Sequence, residues 1–441
     1  MKTKFLHIAD LHLGYEQYGS TDRFNDFARA FQAVINAAIA EEVAFVILAG
    51  DLFQKRAIDA LTLAQAMRIL AKLKDAGIPC LAVEGNHEKS YYREKVGWME
   101  FLAAQELLIL LSPELDQGDP VALTPYARHK GAYMDPVPGV RVFGLKYLGS
   151  STAHTIERVA ASLAAMPAAE QAGIEYTIFM AHTGVEGVLA GQSGGLTHRQ
   201  LAPLRPHVDY LALGHIHKPF EREGWIYNPG SPETCSLTEA QWPERGYYLV
   251  EVDTERERAE DEPKHTAILH ANPRRPFHRL SIKTDQLSTP DLLMTYADQL
   301  LARKARDLGA DRAAGLSQPV VELALYGNLP FDRSALDLAG LKELVVQHFS
   351  PLVSLVKNQT QPTEFQIDIT EGITRPQLER QILADLFLRD DRFSGQRDAW
   401  ADLAISLKTL ALTNASPDAI LEELDVRANQ IENGELTIDN G

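Results

Sequence analysis

Five short motifs carry side chains that can bind a metal ion, and each follows directly after an apolar run. Such runs are typical of buried strands, and ligands of open α/β sheets gather at the carboxyl ends of strands. We therefore expect these ends to lie together. In chain order the motifs are Ala9-Asp10-Leu11-His12, Gly50-Asp51, Gly85-Asn86-His87-Glu88, Ala181-His182 and Gly214-His215-Ile216-His217.

The ligand types in these motifs predict transition-metal ions. Carboxylate and amide oxygens together with neutral imidazole suit Mn²⁺, Fe²⁺ or Zn²⁺. The chain has two cysteines, Cys80 and Cys235, and because both lie outside the motifs we expect no thiolate ligand. The candidate ligands exceed the needs of one ion, whereas two ions about 3.5–4 Å apart with a bridging carboxylate suit in-line displacement at phosphorus. The candidates are Asp10, His12, Asp51, Asn86, His182, His215 and His217.

In two of the motifs, a single residue separates two candidate ligands. Side chains alternate between the faces of an extended strand, so Asp10 and His12 should point the same way, as should His215 and His217. The glycines that precede the ligands should let the backbone turn sharply near the ions, because glycine has no Cβ.

The five motifs in this order resemble those of the calcineurin-like metallophosphoesterases. The stretch from His7 to Tyr15, followed by Arg23-Phe24-Asn25-Asp26-Phe27, narrows the resemblance to the SbcD-type DNA double-strand-break repair nucleases. The resemblance implies an α/β fold, in which a phosphoesterase β-sandwich flanked by helices is joined by a small α+β cap domain and a C-terminal helical segment.

The resemblance also implies roles for single residues. His87 is the remaining catalytic candidate, as a group that protonates the leaving oxygen or stabilises charge at phosphorus, and Glu88 could orient it. Similar proteins commonly have Asp at the position of Glu88. Some have His at the position of Gln54, and this chain lacks the phosphate contact that such a His would provide. Tyr15 either contacts a nucleotide or is a buried aromatic. One ion is assigned to Asp10, His12, Asp51 and His217, and the other to Asp51, Asn86, His182 and His215, with Asp51 as the bridge.

Length and composition are those of a globular protein of two to three domains, since the chain has 441 residues. The net charge of −17 argues against a general nucleic-acid binder, although it does not exclude a nuclease, because divalent ions invert the local charge. Lys2 and Lys4 precede only a short apolar patch, and no apolar run approaches the roughly 20 residues of a membrane span. We therefore expect a cytoplasmic protein without membrane contact.

The predicted domains are a nuclease domain over 1–262, a DNA-contacting cap domain over 263–372 and a helical segment with a tail over 373–441. The strand Tyr247–Val252 is predicted to be the last of the first domain, and the charged stretch from Glu255 to Lys264 a turn or linker. In the cap, three arginines are predicted to contact the DNA backbone, with a solvated basic face as the alternative. They are Arg274, Arg275 and Arg279.

The last segment is predicted to bind protein. From residue 371 onward, 14 acidic residues outnumber 7 basic ones, which is unfit for phosphate contact. Leu383 and Phe387, one helical turn apart, are the predicted anchors. The resemblance implies that this segment docks on an SMC-like repair ATPase of the SbcC type. It also implies a homodimer formed through helices near Trp98, for which burial in the core is an equal alternative.

The sequence thus predicts a metal-dependent DNA nuclease, a phosphodiesterase with exo- and endodeoxyribonuclease activity that uses two divalent ions, Mn²⁺ by preference, on DNA ends. Two alternatives stay open. A dinuclear-metal phosphatase or phosphodiesterase acting on a non-DNA substrate would need the same seven ligands. The chain could also be a mainly architectural DNA-end-binding subunit.

Overall fold

The computed structural model describes residues 1–89, 96–115, 121–189, 195–256, 262–309, 318–362, 374–388, 392–413 and 415–433. These residues form two compact units. The first consists of the described parts of Met1–Ile282, Met294–Leu325 and Asp337–Asn358. The second consists of those of Lys283–Leu293, Tyr326–Leu336 and Gln359–Gly441. The boundaries at 262 and 372 stay predictions.

The described strands and helices alternate through the first half of the chain, as the sequence predicts. The strands are β1 (Lys2–Ile8), β2 (Phe45–Leu48), β3 (Cys80–Ala82), β4 (Ile109–Leu110), β5 (Tyr133–Val137), β6 (Val140–Leu145), β7 (Tyr176–His182), β8 (Tyr210–Gly214), β9 (Phe220–Arg222), β10 (Ile226–Asn228), β11 (Gly246–Asp253), β12 (His265–Ala271), β13 (Phe277–Lys283), β14 (Val320–Leu329) and β15 (Val353–Pro362). The α-helices are α1 (Thr21–Ala40), α2 (Ala60–Asp75), α3 (Trp98–Ala104), α4 (Thr152–Ala164), α5 (Ala168–Gln171), α6 (His198–Leu201), α7 (Pro290–Asp307), α8 (Leu338–Phe349), α9 (Arg375–Leu388), α10 (Arg397–Leu412) and α11 (Pro417–Glu432).

Two mixed sheets form the centre of the first unit. The first has the order β12-β11-β1-β2-β3-β4, and β1 to β4 pair in parallel. The second has the order β5-β6-β7-β8-β10-β9, with parallel pairing of β6, β7 and β8. A fully buried apolar cluster takes side chains from both sheets, among them Phe5, Ile47, Ile178 and Tyr210. The two sheets therefore pack face to face.

Helices cover the outer faces of this sandwich. Phe31 and Val34 of α1 and Leu70 of α2 join one buried cluster with residues of β1 to β3, while Ile156 of α4 joins another with residues of β6 to β8. Helix α1 begins directly after Ser20, because the Ser20 side chain accepts a hydrogen bond from the Arg23 N–H. The predicted sandwich flanked by helices is confirmed.

The first sheet extends further along the chain than the sequence indicates. β12 pairs antiparallel with β11 over its whole length, so Tyr247–Val252 is not the last strand of this sheet. The charged stretch from Glu255 to Lys264 joins two neighbouring strands, and residues 257–261 within it lie outside the described residues. High local charge therefore does not mark the end of this sheet.

Beyond β12, the strands β13, β14 and β15 form a third sheet with α7 and α8 between them in sequence, as predicted for an α+β cap. The predicted C-terminal helical segment consists of three helices, α9, α10 and α11. Among the helices within the described residues, none is long and apolar enough to cross a membrane.

Candidate metal centre

The five motifs meet at one edge of the sandwich. Three of them follow the adjacent parallel strands β1, β2 and β3 of the first sheet, and two follow the adjacent parallel strands β7 and β8 of the second. Contacts between the sheets close the cluster. His12 Nε2 lies 2.9 Å from His217 Nε2, and His182 Nε2 lies 3.2 Å from Asp51 Oδ2. The predicted convergence of the candidate ligands is thus what the fold produces.

The backbone at these motifs is not extended, which corrects the alternation argument. β1 ends at Ile8, and four candidate ligands have positive φ angles: Asp10 (56°), His12 (49°), Asp51 (54°) and His215 (89°). Residues with a Cβ rarely adopt this region, and each such residue costs of order 1–3 kcal/mol. The side chains converge because the chain turns sharply after each strand, and the surrounding packing holds that strain.

Asp51 belongs to two groups of possible ligands. Its carboxylate, His182 and His215 have ligand atoms within 4.8 Å of one another, and so do its carboxylate, His12 and His87. Asn86 Oδ1 adds to the first group, at 3.1 Å from His182 Nε2 and 2.9 Å from His215 Nδ1. Asp51 therefore lies where a bridging carboxylate would lie.

A third group consists of His12, His217 and Cys235, whose ligand atoms also lie within 4.8 Å of one another. Nδ1 of His12 is buried and has no hydrogen-bond partner among the described residues, while its Nε2 faces His217. Whichever tautomer His12 adopts, one buried nitrogen is unsatisfied, and a bound cation would relieve this cost. The residues present therefore fit a divalent metal. Cys235 lies outside the motifs in the sequence, but the fold brings it beside the site.

The charges of the site are strongly coupled. Burial opposes ionisation of Asp51, but the imidazoles of His182, His12 and His87 outweigh it and hold the pKa of Asp51 well below its usual range. Burial raises the pKa of Asp10 to about 6. It lowers the pKa of His215 to about 4. An ionised Asp51 and a neutral His215 are the protonation states that a metal ion requires of its ligands, which agrees with a metal site.

Two of the candidate histidine ligands are oriented by fixed partners. His182 Nδ1 donates to the carbonyl of Ala49 at 2.7 Å, which leaves Nε2 for a metal. His217 Nδ1 donates to Glu239 Oε1 at 2.9 Å, and Glu239 Oε2 accepts from Arg245 at 2.7 Å. Such outer partners fix the tautomer and the ring orientation of a ligating histidine.

Glu88 does not orient His87, contrary to the sequence prediction. Its buried carboxylate accepts three backbone N–H groups, from Gly85 at 2.7 Å, Phe53 at 2.8 Å and Asp51 at 3.1 Å. It therefore joins the loop after β3 to the loop after β2. Glu88 positions the backbone that carries Asp51.

His87 is oriented by a backbone carbonyl. Its Nδ1 donates to Gln54 O at 2.5 Å, and its Nε2 lies 3.9 Å from Asp51 Oδ2. The His87 side chain is 32% exposed, whereas His182 is fully buried. An imidazole open to solvent beside the carboxylate has the position required of a group that meets the substrate.

Two glycines are required by close packing. A Cβ at Gly85 would lie 2.0 Å from Asp51 Oδ1, and a Cβ at Gly214 would lie 2.2 Å from the carbonyl oxygen of Ala49. Both distances are far below any van der Waals contact. The sequence argument that glycine lets the chain approach the site is confirmed.

The predicted DNA-contacting residues differ in exposure. Arg275 is 6% exposed and pairs with Asp26 at 2.6 Å, so its guanidinium is a structural group, which corrects the DNA assignment. Arg274 donates to Pro243 O at 2.7 Å and is partly buried. Arg279 is 47% exposed and pairs with Glu322. Tyr15 is partly buried with its ring 5.3 Å from that of Phe27.

The predicted partner anchors lie on α9. Phe387 packs within the helical module, which is formed by α9, α10 and α11. Its ring centroid lies 5.5 Å from that of Phe393 and 6.2 Å from that of Trp400. Leu383 is partly buried, whereas Leu386 is 43% and Leu388 47% exposed. Phe387 thus stabilises the module itself, because its aromatic neighbours already cover it, and the exposed apolar surface lies at the other two leucines.

Sequence reasoning missed three residues at this site. Glu239 and Cys235 follow β10, far from any motif, and Tyr147 follows β6 with its ring 5.6 Å from that of His215. Tyr147 lies in a glycine-bounded stretch that mimics a phosphate loop without its lysine, so no positive signal marks it. A Ser-Pro-Glu turn after a buried strand was the available hint for the other two.

Comparison with known proteins agrees with this geometry. The family model described as calcineurin-like phosphoesterase matches residues 3–219. The DNA double-strand break repair protein Mre11 of Archaeoglobus fulgidus is 33% identical over 54% of this chain and 52% of its own length. That of Saccharolobus solfataricus is 28% identical over 56% of this chain and 60% of its own. Among solved structures, the calcineurin-like phosphoesterase YfkN from Bacillus subtilis aligns over 61% of this chain and 90% of its own, with 15% identity and a TM-score of 0.37.

The matched region contains all five motifs, and the chain spans roughly half to three fifths of the length of the curated relatives. The strand-end ligands, their order along the chain and the shared carboxylate of Asp51 all fall within that region. Residues 3–219 of this chain therefore form a calcineurin-like phosphoesterase domain.

Proposed function

We propose that this protein is a metal-dependent DNA nuclease that hydrolyses phosphodiester bonds at DNA ends with two divalent ions. The observation that carries the proposal is that Asp51 lies near His182 and His215 on one side and near His12 on the other, with His87 exposed beside it. Two-metal sites with a shared carboxylate serve in-line displacement at phosphorus. Similarity to DNA double-strand break repair proteins supports DNA as the substrate.

The residues that would hold the ions are those at the five strand ends. Asp10, His12 and His217 would hold one ion, Asn86, His182 and His215 the other, and Asp51 both. The bound ions would activate a water molecule and neutralise the charge on the phosphate. We propose Mn²⁺ as the ion, because a mixed set of oxygen and imidazole ligands suits it.

His87 would act on the substrate itself. The Nδ1–H group of His87 donates to Gln54 O, so the ring presents Nε2 to the site. There a protonated imidazole could give its proton to the leaving sugar oxygen. Glu88 keeps the loops of Asp51 and His87 in register through its three backbone hydrogen bonds. Tyr147, whose ring lies 5.6 Å from that of His215, would contact the nucleotide.

A substrate comparison tests the proposal. Purified protein with Mn²⁺ should degrade linear duplex DNA and hydrolyse bis-p-nitrophenyl phosphate, and a chelator should stop both. Hydrolysis of p-nitrophenyl phosphate alone would make the protein a phosphatase. Binding of DNA ends with no hydrolysis of any ester would make it an architectural subunit, and either result would overturn the nuclease proposal.

DNA contact by the cap is proposed for Arg279, the most exposed of the three arginines. Charge reversal in Arg279→Glu should weaken duplex binding and reduce the slope of log affinity against log salt by about one unit. Cleavage of the small diester should not change. An unchanged slope would leave Arg279 as a solvated residue paired with Glu322.

We further propose that α9 to α11 bind an SMC-like repair ATPase, that the protein forms a homodimer, and that it works in the cytoplasm. The exposed Leu386 and Leu388 on an acidic helical module favour protein contact. Truncation at Gly372 should keep Mn²⁺-dependent cleavage of bis-p-nitrophenyl phosphate but abolish co-purification with the ATPase. Retention of the ATPase by the truncated protein would place the partner site elsewhere.

A further inference from the structure

One group of possible ligands at this site includes a sulfur atom. Cys235 Sγ lies within 4.8 Å of ligand atoms of both His12 and His217, and the Cys235 residue is 9% exposed. A phosphodiesterase site built from carboxylate, amide and imidazole has no need of a thiol. Sulfur therefore adds a property that the reaction itself does not explain.

The position of Cys235 is fixed from both sides. Its N–H donates to Glu239 Oε2 at 3.0 Å, and its carbonyl accepts from Gln17 Nε2 at 2.8 Å. Ser231 Oγ lies 3.2 Å from its Sγ. The other oxygen of Glu239 holds His217, so one carboxylate positions two members of the group. These contacts hold the thiol next to the imidazoles of His12 and His217.

A second observation at the same place points to a cation. His12 is 1% exposed, and its Nδ1 has no hydrogen-bond partner among the described residues. Its Nε2 faces the Nε2 that Glu239 leaves free on His217. Two imidazoles, one of which has an unsatisfied buried nitrogen, and one thiol thus form a set of nitrogen and sulfur donors.

We propose that Cys235 is a protein ligand, together with His12 and His217, for a thiophilic divalent ion of the Zn²⁺ class at this end of the site. The inference rests on the proposed metal site and extends it from oxygen and nitrogen ligands to sulfur. Binding releases the thiol proton to solvent and forms the metal–sulfur bond. Zn²⁺ prefers tetrahedral sites of histidine and cysteine, whereas Mn²⁺ prefers oxygen, so Cys235 makes the site distinguish the two ions.

The two cysteines of the chain allow a clean test. Cd²⁺, a thiophilic probe, gives an ultraviolet charge-transfer band only when a thiolate binds it. The full-length protein and Cys80→Ala should both show the band, and Cys235→Ser and Cys235→Ala should both lack it. In competition titrations, Zn²⁺ affinity should fall at least about tenfold in Cys235→Ser. Tenfold is the smallest loss of metal affinity that is typical when a residue supporting a metal ligand is replaced, and a ligand itself should cost no less. Thermal unfolding verifies that each variant is folded.

Mn²⁺ binding separates the two proposals. If electron paramagnetic resonance detects bound Mn²⁺ but Cd²⁺ produces no thiolate band, Cys235 is not a ligand and the inference fails while the metal site stands. A band that survives in Cys235→Ser, or disappears in Cys80→Ala, also overturns it. If the protein binds neither ion, the proposed function itself is wrong.

Discussion

The metal centre and the C-terminal helical module use polar and apolar side chains in opposite ways. In the metal centre, Asp10 and His182 are fully buried and are held by backbone groups at 2.7–3.0 Å. In the module, Leu386 and Leu421 are exposed, and the Arg380–Asp402 ion pair is 40% and 45% exposed. The metal centre holds its buried polar side chains by hydrogen bonds, whereas the helical module leaves apolar and charged side chains exposed to solvent.

This difference determines how much a substitution should cost. A buried polar group that loses its partner retains the full cost of desolvation, whereas a surface side chain is usually replaced at little cost. The predictions below test whether the contrast holds, starting where the structure places the most interactions on one side chain.

Asp51→Asn should have the largest effect. The amide keeps the shape of the side chain but removes the negative charge that two ligand groups share, so Mn²⁺-dependent diester hydrolysis should fall by more than about 10³-fold, the scale of losing one charge-stabilising group. Steady-state rates and calorimetric metal titration measure this. Near-normal activity would refute the assignment of Asp51 as a bridge.

Glu239→Ala should cost less, because Glu239 acts through another residue. Without it His217 loses its orienting acceptor and Arg245 its buried partner, and metal affinity should fall about 10–100-fold. Burial opposes the ionisation of Glu239, but His217 and Arg245 lower its pKa to about 2, so its charge persists across the working pH range. Glu223→Ala, at a 60% exposed carboxylate, is the control. Equal metal affinities in both variants would remove the positioning role.

His7 should make the fold sensitive to acid. It lies in the core with Nδ1 accepting from Tyr210 at 2.9 Å and Nε2 donating to Leu213 O at 3.0 Å, and burial lowers its pKa from 6.5 to about 3. Below pH 6.5 the His7 side chain is protonated in the unfolded chain but stays neutral in the folded chain. This group therefore removes up to about 1.4 kcal/mol of unfolding free energy per pH unit until about pH 3.

Denaturant unfolding of His7→Gln at pH 7 and pH 5 measures this contribution. The variant should be less stable at pH 7 but should lose less stability between the two pH values than the unsubstituted protein does. His198→Gln, at a 44% exposed side chain, should keep the original dependence. The same pH dependence in all three proteins would mean that other groups cause the acid sensitivity.

Leu386→Ser should have the smallest effect on the fold. Its side chain is 43% exposed, so the unfolding free energy should change by no more than about 0.5 kcal/mol, and diester hydrolysis should not change. Ala384→Asp, two residues earlier at a position that is 6% exposed, should destabilise the module clearly because it buries a charge. Equal losses in thermal unfolding would show that Leu386 is part of a packed core.

The sequence by itself determined the elements and the ligand types. Apolar runs, caps and glycines predicted strands that end at Asp51, Asn86 and His182, and these residues meet as expected, because parallel strands place their carboxyl ends at one edge. The spacing of Leu383 and Phe387 by one helical turn indicated a helix, and α9 contains both residues. Such signals are local, and they depend on the period of the chain and on burial.

Only the tertiary structure decided which distant groups touch. Glu239 meets His217 and Arg275 meets Asp26, 249 residues away, because sheet pairing and packing bring those segments together. Cys235 stands beside His12 for the same reason, although no motif includes it. The sequence pattern records which side chains are buried, but the partner of each buried polar group depends on three-dimensional packing, which satisfies hydrogen bonds wherever donors and acceptors meet.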